Sequence, residues 1–178
     1  AGAICAKYLA PKNIEAIGIV GTGVQARMQL EYLKNVTDCQ NVIVWGRSKS
    51  ALNQYKTSMG DSGFTIKTTM ALDQVTDNCN LIVTCTASEK PLIIKDQIKG
   101  KIHITAMGSD THNKQELDSN VLSKADLIIA DSRSQCEVRG EIHHAIKNKI
   151  VSMDSIVELG EIINGDRQGR TTDSELTV

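Results

Sequence analysis

Short uninterrupted apolar runs recur along the chain at residues 16–21, 42–45, 81–84, 102–107 and 127–130. None alternates with polar positions, which is how parallel strands covered on both faces read. Residues 65–68 do alternate and suit an edge strand. Between the runs, apolar positions recur at helical spacing. Across 24–36, Ala26, Leu30 and Leu33 fall at i, i+4 and i+7 and form one stripe. Residues 48–59 read as the next helix, with Ser48 or Ser50 as its cap, and 70–76 as a short one. Asn113-Lys114-Gln115-Glu116 resembles a capping box opening a helix through Lys124. Helices over 133–147 and 154–164 complete the set, the second stopped by Gly165. Strands alternating with helices predict βαβ units and an α/β fold with a doubly wound parallel sheet.

Composition narrows the classes of function. With 178 residues, 40% hydrophobic and 23% charged, the chain suits one globular domain over its whole length. The balance of 20 Lys+Arg against 21 Asp+Glu, with no basic block, argues against a nucleic-acid or polybasic membrane surface. Aromatics at 3% are too few for base-stacking platforms or an interfacial belt. No apolar run approaches the roughly 20 residues of a membrane helix. Five cysteines, odd in number and without Cys-x-x-Cys, argue against a disulfide framework or a zinc ribbon and for a cytoplasmic setting. Because the chain opens at Ala1 rather than a Met and stops at Val178 in what reads as mid-strand, we expect a segment of a longer protein.

The first apolar run leads directly into Gly21-Thr22-Gly23-Val24-Gln25-Ala26 and then the first amphipathic helix. At a strand–helix junction, G-x-G-x-x-A is the Rossmann dinucleotide fingerprint. Gly21 permits the tight turn, Gly23 lets backbone approach a pyrophosphate, and Ala26 allows close packing of helix on strand. The free N–H groups and dipole of the helix then bind the anion. The second strand ends Trp45-Gly46-Arg47-Ser48, without the Asp or Glu that holds an NAD ribose. Arg47 can pair with a 2′-phosphate and Ser48 can donate to it, so we expect NADP(H) to be preferred, with NAD(H) possible.

Ligands of such sheets lie beyond the carboxyl ends of the strands. The run at 102–107 ends Met107-Gly108-Ser109-Asp110, placing Asp110 near the nicotinamide, where its carboxylate can exchange a proton with an amine or imine. A turn-forming Asp is the competing reading. Thr86-Ala87-Ser88 should line the nicotinamide-ribose side. His143 and His144 are adjacent on a helix, diverge, and cannot share a metal; no metal site is expected. His112 stands close to Asp110, and His103 within a strand reads as structural.

These features resemble the ornithine cyclodeaminase and μ-crystallin family. The resemblance is carried by Gly2-Ala3-Ile4-Cys5-Ala6-Lys7-Tyr8-Leu9-Ala10, by the fingerprint with Gln25, and by Gly108-Ser109-Asp110 through Lys114-Gln115-Glu116-Leu117-Asp118. Further matches are Ala125-Asp126, Asp131-Ser132-Arg133, Gln135-Cys136, Gly140-Glu141, Glu158-Leu159-Gly160-Glu161, Gly165, Gly169-Arg170 and Leu176-Thr177-Val178. The resemblance implies a homodimer whose nucleotide domain is inserted into a second domain carrying substrate-binding Lys and Arg residues. It also implies that Asp110 is the general acid/base at the substrate amine, a position that is not an aspartate in mammalian μ-crystallin. Gly46-Arg47-Ser48 is similar to the NADPH-binding turn of the crystallin branch, whereas ornithine cyclodeaminase itself carries an acid there. His112-Asn113 replaces the family's Pro-Gly.

The expected function is therefore the nucleotide-binding part of an NADPH-preferring reductase of cyclic imino acids, represented by Δ1-pyrroline-2-carboxylate. Alternatives are ornithine cyclodeaminase, alanine dehydrogenase, and a crystallin-like protein that binds NADPH without turnover. The partner is a small amino or imino acid. The segment alone should bind a dinucleotide and turn over nothing.

Overall fold

A computed structural model describes residues 2–178. Among the described residues there are eight strands: β1 (Ile17–Val20), β2 (Asn41–Trp45), β3 (Thr65–Thr69), β4 (Leu81–Thr84), β5 (Ile102–Ala106), β6 (Ile128–Ala130), β7 (Ile156–Glu158) and β8 (Leu176–Thr177). Helices are α1 (Gly2–Leu9), α2 (Val24–Leu33), α3 (Lys49–Ser58), α4 (Asp73–Asn78), α5 (Ser119–Leu122), α6 (Arg133–Cys136), α7 (Gly140–Lys147) and α8 (Leu159–Asn164). Six strands form one parallel sheet in the order β3-β2-β1-β4-β5-β8, while β6 and β7 pair in parallel beside it. A bridge from Leu127 to Thr177, with Ile129 N–H donating to Val178 O at 2.8 Å, joins that pair to β8.

The expected α/β, doubly wound parallel sheet is thus present, and β3 lies at its edge. Both sheet faces are buried, which is why β1 and β4 read as continuous apolar runs. On one face Ile17, Ile19, Val42, Val44, Leu81 and Val83 pack under α2 and α3. On the other, Val20, Ile82 and Ile104 meet Val75 of α4, Val121 of α5 and Ile142 of α7. The apolar stripe of α2 does what its spacing predicts: Ala26, Leu30 and Leu33 are enclosed. Each fully buried Leu or Ile of this set contributes about 1.5–3 kcal/mol. Ser48 caps α3, its Oγ accepting from Ala51 N–H at 3.3 Å, and Gly165 ends α8 at φ 83°.

Four elements depart from the sequence reading. The capping box at Asn113 opens no helix; residues 116–117 are extended against Ile93, and a four-residue α5 follows, capped by Asp118. Glu116, read as the reciprocal capping residue, turns instead to distant backbone and is completely buried. The single helix over 133–147 is two, because Arg139 is extended and Gly140 follows at φ 84°, a conformation only glycine adopts freely. The helix over 154–164 splits into a 3-10 turn at Met153–Ser155, strand β7 and then α8. The short helix expected at 70–76 lies at Asp73–Asn78. Among the described residues, no helix is long and apolar enough to cross a membrane.

Candidate functional site

Strand order reverses between β1 and β4, so a crevice opens outside their carboxyl ends, the location where open α/β sheets bind ligands. Gly21 forms the floor of its entry turn at φ 126°, and a Cβ there would fall 2.6 Å from Cys85 O. At Gly23 a Cβ would meet nothing within 4 Å. That position therefore has open space over it rather than protein. Gly23 is also the N-cap of the ten-residue α2 and places no side chain over the helix end. The first N–H groups of α2 are left open to an incoming anion. A pyrophosphate fits this cradle. Thr22 is half-buried, its carbonyl accepting from Arg27 Nη1 at 3.1 Å, while Val24 and Gln25 are exposed and Ala26 is enclosed.

At the end of β2, Gly46 lets the turn pass close to Thr22, since a Cβ would lie 2.8 Å from Thr22 Cγ2. Arg47 is exposed and takes part in none of the ion pairs among the described residues. Ser48 accepts from Ala51 N–H, which leaves its own hydroxyl proton free to donate. The fingerprint turn and the Gly46-Arg47-Ser48 turn therefore flank one end of the crevice.

At the other end, Thr86-Ala87-Ser88 leaves β4 and Met107-Gly108-Ser109-Asp110 leaves β5. Met107 N–H donates to Thr84 O at 2.9 Å, and Gln115 N–H to Ser88 O at 2.8 Å. Asp110 is exposed and pairs with Lys114 at 2.6 Å. The hydrogen bond from the Lys114 ammonium holds its carboxyl below the usual carboxylate range. A cavity of about 270 Å³ lies beside it, lined by residues that include Cys5, Ser109, Asp110, Cys136, Arg139 and Glu141.

Two buried carboxylates under these loops, Glu116 and Glu141, were not among the expected site residues. Glu116 Oε2 accepts from Thr84 Oγ1 at 2.7 Å and from Gly108 N–H at 2.8 Å, while its Oε1 accepts from Thr86 N–H. Glu141, from the first turn of α7, accepts from Ser109 Oγ and from Glu116 N–H at 2.8 Å on Oε1, and from Leu117 N–H at 3.1 Å on Oε2. Burial pushes the Glu141 carboxyl up to about 7. The partners of Glu116 lie 8 to 32 residues away, beyond any local sequence signal.

His103 is enclosed between Thr177 Oγ1 at 2.8 Å and Thr105 Oγ1 at 2.9 Å, and burial pushes its pKa down to about 3. Thr177 gives its hydroxyl proton to Leu9 O, so the neutral ring donates from Nδ1 and accepts at Nε2. It is structural, as its strand position suggests. His143 and His144 are half-buried and bond the carbonyls of Glu137 and Lys114, respectively; His112 approaches His143 at 6.3 Å between ring centroids. Burial pushes the Cys79 and Cys85 thiols up to about 12, which makes them inert at neutral pH.

Comparison with known proteins is consistent along the whole chain. Residues 1–178 match the model of the ornithine cyclodeaminase/mu-crystallin family. The iminosuccinate reductase of Paracoccus denitrificans is 35% identical over 178 residues, covering 100% of this chain and 55% of that protein. Its structure in complex with NAD+ superposes with a TM-score of 0.90 at 34% identity, over 98% of this chain and 53% of that one. An archaeal alanine dehydrogenase dimer with bound NAD gives 0.92 at 34% identity, over 99% and 54% of the two chains. The Δ1-pyrroline-2-carboxylate reductase of Thermococcus litoralis with NADH and L-proline gives 0.92 at 27% identity, over 98% and 55%. The chain spans about half the length of the curated relatives it matches.

Proposed function

Because the chain belongs to the ornithine cyclodeaminase/mu-crystallin family, we propose that it is the dinucleotide-binding part of an NADPH-preferring reductase of cyclic α-imino acids. Δ1-pyrroline-2-carboxylate stands as the representative substrate, and the whole protein is a homodimer. The observation that carries this reading is the crevice itself. A glycine cradle open to an anion lies at one end, and a carboxylate on the β5 turn lies at the other.

Each residue has a task in this scheme. Gly21 and Gly23 admit the pyrophosphate to the first N–H groups of α2. Arg47 meets the 2′-phosphate, and Ser48 donates to it. Thr86, Ala87 and Ser88 line the nicotinamide ribose, and Met107, Gly108 and Ser109 the ring. When bound, the reduced nicotinamide supplies a hydride to the imine carbon. Asp110, kept ionised by Lys114, holds the proton on the imine nitrogen, so that the electrophile is the iminium. Iminium plus reduced cofactor then gives amine plus oxidised cofactor, with charge and atoms balanced. The Paracoccus, archaeal and Thermococcus relatives, solved with NAD+, NAD and NADH, support a second reading in which NAD(H) serves. Likeness to an alanine dehydrogenase likewise supports an open-chain imino acid as substrate.

The test is turnover by the full-length protein. Stoichiometric NADPH loss with Δ1-pyrroline-2-carboxylate, giving proline, is expected. Asp110→Asn should keep NADPH affinity within about twofold and lose about 100-fold or more in kcat. Proline made from ornithine with catalytic NAD+, or tight NADPH binding without turnover of any amine or imine, would contradict the reading.

A further inference from the structure

The fingerprint, the β2 turn and Asp110 leave two buried acidic groups unaccounted for. Glu116 has no exposed surface, and Glu141 retains only 6% exposure. Buried carboxylates persist where their acceptor sites are filled, and here the partners outside the buried Glu116–Leu117 backbone are groups of the loops that leave β4 and β5. Glu116 joins the end of β4, through the Thr84 hydroxyl and Thr86 N–H, to the end of β5, through Gly108 N–H. Gly108 is fitted to this contact: a Cβ there would collide with Thr86 O and come within 2.5 Å of the Glu116 carboxyl carbon. Glu141 takes the next residue of the same turn, Ser109, and also fixes Glu116 by its own N–H. One carboxylate is therefore anchored by the other, and both end on the turn that presents Asp110.

We propose that Glu116 and Glu141 are positioning residues. They form a two-carboxylate clasp that sets the spacing of the Thr86–Ser88 and Gly108–Asp110 loops, and thereby seats the nicotinamide end of the dinucleotide. This rests on assigning those loops to the nicotinamide, as proposed above. No hydrogen bond of the clasp goes to the fingerprint or to the Gly46-Arg47-Ser48 turn; the Thr86 methyl does lie beside Gly21, but the other neighbours of the two turns are Cys85, Trp45, Thr22, Leu52 and Thr69. It should therefore affect one half of the ligand and spare the other.

That asymmetry defines the experiment. NADPH and 2′,5′-ADP, which lacks the nicotinamide half, are titrated against the full-length protein well below its melting temperature. Glu116→Gln keeps the shape but replaces one acceptor oxygen with a donor that faces an N–H or hydroxyl partner. The expected result is an NADPH affinity lowered about tenfold, with 2′,5′-ADP affinity within twofold of wild type. Equal losses for both ligands, or no loss for either, would overturn the clasp. If wild type binds neither ligand, the dinucleotide reading itself fails, a separate outcome. Should Glu116→Gln not fold, Ser109→Ala removes the hydroxyl that donates to Glu141 and adds no atoms. It should show the same selective loss at about threefold, reversed by Ser109→Thr. An unselective or absent loss in that variant likewise contradicts the proposal. Amide proton shifts of Gly108 and Thr86 give a readout independent of ligand: both should lie far downfield in wild type and move upfield in Glu116→Gln. Unshifted amides would mean the carboxylate does not hold them.

Discussion

At the scale of single residues, the fold separates groups that look alike in sequence. Asp110 on the β5 turn and Glu141 of α7, which bonds that turn through Ser109, are both carboxylates, yet solvent exposure and Lys114 hold the first ionised, while burial raises the second to about 7. His103 shows the converse effect for a base. Its neutral ring is satisfied by two threonines, and burial lowers its pKa to about 3 from an ordinary 6.5. The unfolded chain therefore takes up a proton below pH 6.5 that the folded chain refuses, and stability falls as pH drops. Glu141 acts in the opposite sense: its folded pKa is raised, so its contribution is present below the ordinary value of 4.5 and lost as pH rises through about 7. The difference between wild type and His103→Gln isolates the histidine term. Wild type should lose about 2–3 kcal/mol relative to the variant between pH 7 and 4, measured by denaturant melts. A pH-independent difference would show that His103 titrates normally in the fold.

At the scale of elements, the sheet and its first helices were legible because their residues obey one local rule each. Runs of Val, Ile and Leu without polar alternation marked β1 and β4; Ala26, Leu30 and Leu33 marked the buried stripe of α2; Ser48 marked a cap. The fingerprint was legible for the same reason, since Gly21 and Gly23 answer to a turn of six residues. What sequence concealed were features settled at a distance. The three residues of β7 carry too little pattern to stand out from the helix read over 154–164, whereas the strand expected at the end of the chain is present as β8. Asn113-x-x-Glu116 satisfied a local capping rule, but Glu116 finds better partners on β4 and β5. Gly140 was visible as a glycine, not as a helix break, because its left-handed φ of 84° follows from where α7 must begin to aim Glu141 at Ser109. Gly140→Ala should then cost about 1–2 kcal/mol in unfolding free energy, the strain of a left-handed alanine. A variant as stable as wild type would mean that the backbone can relax at this break.

At the scale of the whole molecule, a parallel sheet buried on both faces brings four loops to one edge and divides their labour. The β1 and β2 loops present open N–H groups and a guanidinium, that of Arg47, with no ion-pair partner among the described residues. The β4 and β5 loops are tied together from below by carboxylates and carry Asp110 above. Arg170 fastens the far strand into this frame, donating to Leu9 O, Ile102 O and Glu175 O and so joining α1, β5 and the approach to β8. In the function proposed above, the crevice holds a nicotinamide dinucleotide whose adenosine end meets Arg47. The most direct test of that reading is a fluorescence titration of the full-length protein and Arg47→Ala with NADPH and NADH. Saturable binding of NADPH by wild type is predicted, with a loss of tenfold or more for NADPH and less than twofold for NADH in the variant. Absence of binding by wild type, or equal losses for the two cofactors, would contradict it.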